Sequence, residues 1–181
     1  MALRTSAGAC VTALPGTIVL GLENAIGLTG VRELGEHGVP VHGVAGDADS
    51  VGAASRHCTR SHLRPDGPAA LWLPDLIART GAGAVLAVSE SDLLELAELP
   101  PTIGDCHILV PRPDRLAKGI DKFRTRDIAE KAGLRVPQTW QPQIGEDFAA
   151  RVATMHYPLV AKWANPPAIM PILEQAGLEW L

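Results

Sequence analysis

Residues 17–44 read TIVLGLENAIGLTGVRELGEHGVPVHGV. The run TIVLGL (17–22) is short, apolar and β-branched at its start, a composition suited to a strand covered on both faces. Asn24 follows at the position of a helix N-cap. The chain predicts a helix from there through about His37, with Gly38 where a left-handed C′ residue is wanted. VPVHGV (39–44) reads as the next strand. Strand, capped helix and strand in so short a span predict a parallel βαβ unit.

The alternation continues outward. A polar, glycine-rich loop (45–54) leads to a short strand near Cys58–Leu63. Residues 69–80 predict a helix with Leu71, Leu76 and Ile77 on its inner side, ended by Gly81. AVLAVS (84–89) is another buried strand, and Ser89 stands three residues before Asp92, the spacing of a capping box, to open the helix SDLLELAEL. Pro100 and Pro101 stop that helix, HILV (107–110) makes the last strand of the set, and Pro111, Arg112 and Pro113 break the pattern. Residues 16–112 therefore predict an α/β domain, a doubly wound parallel sheet that the right-handed crossover rule narrows to a Rossmann-like order.

After Pro113 the texture changes. RPDRLAKGIDKFRTRDIAEKAG (112–133) is charged and helical, with Phe123, Ile128 and Ala132 as its apolar side and Gly133 at its end. LRVPQTW is extended, GEDFAARVATMH is a second amphipathic helix, YPLVAKW is a strand, and PAIMPILEQAGLEWL begins one more helix. This order opens a second, mixed α/β unit over 113–181, and residues 1–15 read as a flexible leader.

Composition bounds the function. The chain has 181 residues, with 16 Lys and Arg against 20 Asp and Glu, a formal charge of −4; 46% of it is hydrophobic and 20% charged. High apolar content with small net charge excludes a disordered chain, and the mild acidity argues against a nucleic-acid binder. No stretch approaches the roughly 18 apolar residues of a membrane helix, and the leader lacks a continuous apolar core, so a cytoplasmic protein is expected. Cys10, Cys58 and Cys106 are odd in number and form no CxxC pair, so neither a disulfide framework nor a zinc site is expected.

Three places can carry chemistry. The first is Gly21–Gly27, a turn between a strand and a helix start, where free backbone N–H groups could hold phosphate. Gly21, Glu23 and Asn24 are its candidate cofactor-binding residues. Glu23 and Asn24 stand where a dinucleotide fingerprint has close-packed glycines, so tight strand–helix packing through Gly21 and Gly27 is the alternative. Asp47 and Asp49 follow the second strand, where a ribose-binding acid would sit. The second place is SRHCTRSHLR (55–64), with three arginines and two histidines. It could bind an anion, but strand alternation would divide its side chains between two faces. The third place joins Lys122, near a helix start, to Lys162, which closes the apolar strand YPLVAK. A lysine emerging from an apolar strand must reach water or an anion, and polyphosphate is a natural partner for two ammonium groups.

Around those two lysines the sequence resembles the ATP-grasp ligases, whose members carry DK…A…G(I/V)xVPxT followed by (Y)P(L/V)(V/I)xK. Here the matching residues are Asp121-Lys122, Gly133, Val136-Pro137 and Thr139, then Tyr157-Pro158-Leu159-Val160-Ala161-Lys162. Residues 16–112 resemble the Rossmann-like pre-ATP-grasp domain that precedes the grasp in biotin carboxylase-like and carbamoyl phosphate synthase-like enzymes. The resemblance implies ATP and Mg²⁺ as cofactors. It implies phosphorylation of a small-molecule carboxylate, then attack on the acyl phosphate by an amine or thiol, with Lys122 and Lys162 contacting the nucleotide. A homodimer is compatible with it; nucleic acid and membrane partners are not expected. The chain departs from many members in placing Trp163-Ala164-Asn165-Pro166-Pro167 where they have a glycine-rich loop. The metal ligands of the family lie in the later lobe. Residues 113–181 are therefore expected to be a partial small lobe, and the chain by itself to bind ATP weakly and to be inactive. The competing expectations are a stand-alone nucleotide- or dinucleotide-binding domain and a non-catalytic docking module.

Overall fold

The computed structural model describes residues 14–162 and 169–173, which form two compact units divided between Pro111 and Arg112. The first unit holds a six-stranded sheet of order β3-β2-β1-β4-β6-β5. Its strands are β1 (Thr17–Leu20), β2 (Val41–Ala45), β3 (Arg60–Leu63), β4 (Ala84–Ala87), β5 (Thr102–Ile103) and β6 (Cys106–Ile108). All neighbours pair in parallel except β5 and β6, a short hairpin at the edge that the sequence pattern did not show. The fold is thus the expected α/β, Rossmann-like arrangement.

Helices on both faces explain why β1 is apolar along its whole length. Alternate residues of one strand enter two different cores, so no solvent face remains. Ile18 and Leu20 join Val44 and Val85 beneath α2 (Ala69–Thr80), which contributes Trp72, Leu73, Leu76 and Ile77. Val19 enters the opposite core with Val41, Ala45 and Val31 of α1 (Ala25–Glu36). Leu71, expected on the inner side of α2, is instead 73% exposed. Leu76 and Ile77 are buried as expected, and Trp72 and Leu73 precede them at the three- and four-residue spacing of one helix face, which Leu71 does not keep. Ser89 caps α3 (Glu90–Ala97) by accepting from the Asp92 N–H at 3.1 Å.

On the α2 face of the sheet, the Nδ1 of His42 and the Nε2 of His62 lie 3.4 Å apart, one ring donating to the other. Burial holds both imidazoles below the ordinary histidine pKa. The Arg60 guanidinium adds to this at His42; at His62, His42, Arg60 and Arg79 all contribute. An unfolded chain protonates these rings in the ordinary histidine range while the folded protein does not. The pair's contribution is therefore complete above that range and declines as pH falls through it. Urea midpoints measured from pH 8 to pH 5 should fall, and His42→Gln with His62→Gln should flatten that acid limb.

The second unit contains α4 (Pro113–Ile120), α5 (Lys122–Lys131), α6 (Phe148–Ala153) and the antiparallel pair β7 (Leu159–Lys162) and β8 (Ile169–Leu173). The helical segment expected as one piece is broken at Asp121, whose ψ of 110° is extended and whose carboxylate caps α5. Thr125 Oγ1 lies 2.9 Å from the Lys118 carbonyl and can satisfy that end of α4. Ile128 is half exposed, and the apolar side belongs instead to Leu116 and Ile120 of α4. The helix expected over 145–156 is confined to α6. The helix expected from Pro167 is contradicted by β8, in which Pro171 denies a helix its N–H and β-branched Ile169 and Ile172 favour an extended chain. The leader up to residue 13, the Trp163–Pro167 segment and residues 174–181 lie outside the described residues.

Candidate functional site

The loop after β1 is shaped by contacts that only glycine permits at two positions. Gly21 has a φ of +93°, and a Cβ there would stand 2.7 Å from the Val88 side chain. A Cβ on Gly27 would overlap the Gly21 carbonyl oxygen and lie 3.0 Å from the Gly21 carbonyl carbon. The first turn of α1 therefore packs directly on the end of β1, the strand–helix role open to these glycines in the sequence.

The donors at the start of α1 are occupied from within. Asn24 Oδ1 accepts from the Ile26 and Gly27 N–H groups, each at 2.9 Å. The Glu23 carboxylate accepts from the Gly46 N–H and fastens this loop to the one after β2. Asp47 Oδ1 turns back on the Asp49 N–H at 3.0 Å. Gly21, Glu23 and Asn24 are thus gathered at the carboxyl end of β1, with Glu23 Oε1 and Asn24 Oδ1 accepting from backbone N–H groups.

Sequence reading missed the polar cluster beside them. Arg64, just after β3, pairs with Asp92 and with Glu95 of α3, the latter at 2.5 Å. Ser89 Oγ donates to Asp92 at 2.7 Å, the Ala69 N–H donates to Glu95, and the Arg64 guanidinium stands 5.4 Å from the Trp72 ring centroid. The partners are 28 and 31 residues apart in sequence. Asp92 and Glu95 share one helix face, and the parallel topology brings the ends of β3 and β4 to the same edge; those were the available signals. This bridge lies where a doubly wound sheet would hold a dinucleotide, at the carboxyl edge beside β1 and β4. Asp92 is only 6% exposed, so removing its partner leaves a buried charge. Arg64→Met should destabilise the first unit by about 2 kcal/mol, below the range for fully enclosed pairs because Arg64 is partly solvated. Adding Asp92→Leu should recover part of that loss in a denaturant titration.

In the second unit Lys122 occupies the first position of α5, directly after the capping Asp121, whose Oδ1 accepts from the Phe123 and Arg124 N–H groups at 3.0 Å each. A cation at the positive end of a helix dipole costs about 0.3–1 kcal/mol, a penalty an anion at the same end removes. Among the described residues Lys122 makes no ion pair, so its ammonium group is available to such an anion. Lys162 ends β7, its backbone in register with Ile169; its side chain lies outside the described residues. Among the described residues no group of three or more His, Cys, Asp and Glu side chains gathers to hold a metal, and no helix is long and apolar enough to cross a membrane. Cys58 and Cys106 are free thiols, and burial pushes the Cys106 thiol up.

A Rossmann-like sheet, followed in the chain by three helices and an antiparallel strand pair, is similar in fold to the N-terminal parts of several solved structures. N5-carboxyaminoimidazole ribonucleotide synthetase from Thermotoga maritima matches over 93% of this chain and 43% of its own, at 18% identity and a TM-score of 0.60. A second N5-carboxyaminoimidazole ribonucleotide synthetase, solved as its ADP complex, matches over 92% and 44% at 21% identity and a TM-score of 0.58. The biotin carboxylase domain of Hydrogenobacter thermophilus 2-oxoglutarate carboxylase, solved as a dimer with MgADP, ADP and bicarbonate, matches over 92% and 39% at 16% identity and a TM-score of 0.56. The chain therefore spans about two fifths of the length of these structures. No family model and no curated protein matches it. At these identities the likeness is one of fold.

Proposed function

We propose that this chain supplies the N-terminal portion of an ATP-dependent carboxylate–amine (or thiol) ligase. Residues 16–112 would be its pre-ATP-grasp domain and 113–181 the beginning of its ATP-binding lobe. The observation that carries this reading is the order of elements in the second unit. Helix α5 begins with Lys122, which makes no ion pair among the described residues, and strand β7 ends with Lys162 in an antiparallel pair, over a stretch whose sequence has the matching DK and YPLVAK motifs.

ATP supplies the transferable phosphoryl group. The role of Lys122 and Lys162 is to place two ammonium charges against its phosphate oxygens, where charge develops during transfer. The substrate carboxylate oxygen bonds to the γ-phosphorus as the bond to ADP breaks. The amine or thiol then attacks the acyl carbon and phosphate leaves. Mg²⁺ would accompany the nucleotide. The described residues gather no group of three or more His, Cys, Asp and Glu side chains to hold it. Gly21, Glu23 and Asn24 would form the nucleotide-facing loop at the carboxyl end of β1; with its Oδ1 bound to the Ile26 and Gly27 N–H groups, Asn24 has its amide N–H₂ to offer.

In a ligase that carries this chain together with the later lobe, ADP release from MgATP in the presence of a carboxylate and an amine tests the reaction, with bicarbonate, the anion held by the Hydrogenobacter thermophilus domain, as the first probe. Release that requires the carboxylate supports the reading, and release equal with and without any carboxylate overturns it.

A further inference from the structure

The basic segment 55–64 is divided by the fold in a way that alternation along a strand does not describe. Arg64 turns to Asp92 at the carboxyl edge, and Arg60 stands by the paired histidines His42 and His62. Arg56 and His57 precede β3 altogether, in the turn that enters it, so the two-sided pattern of a strand never applies to them. They face the second half of α1 across a pocket of about 440 Å³ lined by Arg32, Glu36, Ala54, Ser55, Arg56 and His57. Helix α1 runs against the strands, so its later turns and the entry to β3 both lie at the amino edge of the sheet. This is the opposite edge from the loop of Gly21–Asn24.

The pocket is built into the packing of α1. A Cβ on Gly35 would stand 2.6 Å from the His57 Cβ and 2.9 Å from its carbonyl oxygen, so the absent side chain is what lets His57 seat against the helix. Arg56 Nε donates to His57 Nε2 at 3.2 Å, which holds that guanidinium at the pocket. Ser55 Oγ accepts the His57 N–H at 3.3 Å and keeps its own proton to donate. Arg32 brings a second guanidinium from α1. Glu36, 3.9 Å from His57 Nε2, is the one opposing charge.

From these groups the geometry points to a second binding site, at the amino edge of the first unit, for a phosphate monoester. Two guanidinium groups supply the forked donors that phosphate oxygens accept, and the Ser55 hydroxyl adds a third. The pocket has room for an organic group beside the anion. This site rests on neither ATP nor the two lysines, and stands or falls separately from the ligase reading.

The test is calorimetric titration of the protein with glycerol phosphate, and with inorganic phosphate as the comparison, in low salt at neutral pH. Saturable binding is expected, tighter for the ester. Arg32→Ala and Arg56→Ala should each weaken it about tenfold, the loss of one charge-assisted contact. Glu36→Gln should tighten it and Arg60→Ala should leave it unchanged. Heat that never saturates, or saturable binding with the same affinity in both the Arg32 and Arg56 variants, overturns the site. Equal affinity for phosphate and its ester overturns the ester assignment. Because Arg32 and Arg56 are exposed, their variants should retain the fold.

Discussion

Gly27→Ala should cost the first unit about 4 kcal/mol, at the upper end of single-substitution effects. The added methyl would meet the Gly21 carbonyl oxygen and the backbone of Leu22 rather than the movable end of a side chain. Relief would require α1 to lift from β1. That movement would strain the Asn24 cap and withdraw Val31 from the core it shares with Val19 and Val41. Against a total stability of roughly 5–15 kcal/mol for a domain, the loss leaves a marginal fold. Gly30, three residues on in the same helix, is the control, since nothing lies within 4 Å of a Cβ there. Gly30→Ala should stabilise by about 0.5–1 kcal/mol through helix propensity alone. Urea midpoints moving in opposite directions for the two variants would confirm that close approach, and not propensity, selects glycine at 27. A Gly27→Ala midpoint at or above that of the unaltered protein would contradict it.

The second large effect concerns chemistry. In the proposed ligase, Lys122→Ala and Lys162→Ala should each lower kcat/KM for carboxylate-dependent ADP formation by about 10²–10³-fold, as expected for removing one preorganised charge from a phosphoryl-transfer site. Lys122→Ala should leave the fold intact, because Asp121, not Lys122, makes the capping hydrogen bonds of α5. It should even relieve the unfavourable placement of a cation at that helix start. A stable Lys122→Ala protein that retains full activity would remove this lysine from the site.

The first unit was legible because its signals are local. A β-branched run, Asn24 as cap and glycine turns state each element where it occurs, and sheet order follows from handedness. The β5–β6 hairpin escaped because strands of two and three residues carry no period. The second unit was read less well. Its charged helical stretch shows continuous propensity, and the break at Asp121 depends on a side chain choosing to cap rather than to extend. Ile169-Met170-Pro171-Ile172-Leu173 is short enough to read as either element, and pairing with β7 decides it.

For the candidate sites the division is similar. Glu23, Asn24, Lys122 and Lys162 could be singled out by position within elements. The Arg64–Asp92–Glu95 bridge and the Arg32–Arg56 pocket could not, since each joins segments that meet only through the tertiary fold. Gly35 is the instructive residue. Inside a helix pattern it looks like a loss of propensity, and only the seated His57 explains it.

The most direct test of the nucleotide reading is a lysine footprint. This chain has four lysines, Lys118, Lys122, Lys131 and Lys162, so in the ligase that carries it each can be followed by mass spectrometry after brief acylation with and without millimolar MgATP. Lys122 and Lys162 should be protected by the nucleotide, while Lys131, at the far end of α5, should react equally in both samples. Equal acylation of Lys122 and Lys162 with and without saturating MgATP would contradict the account.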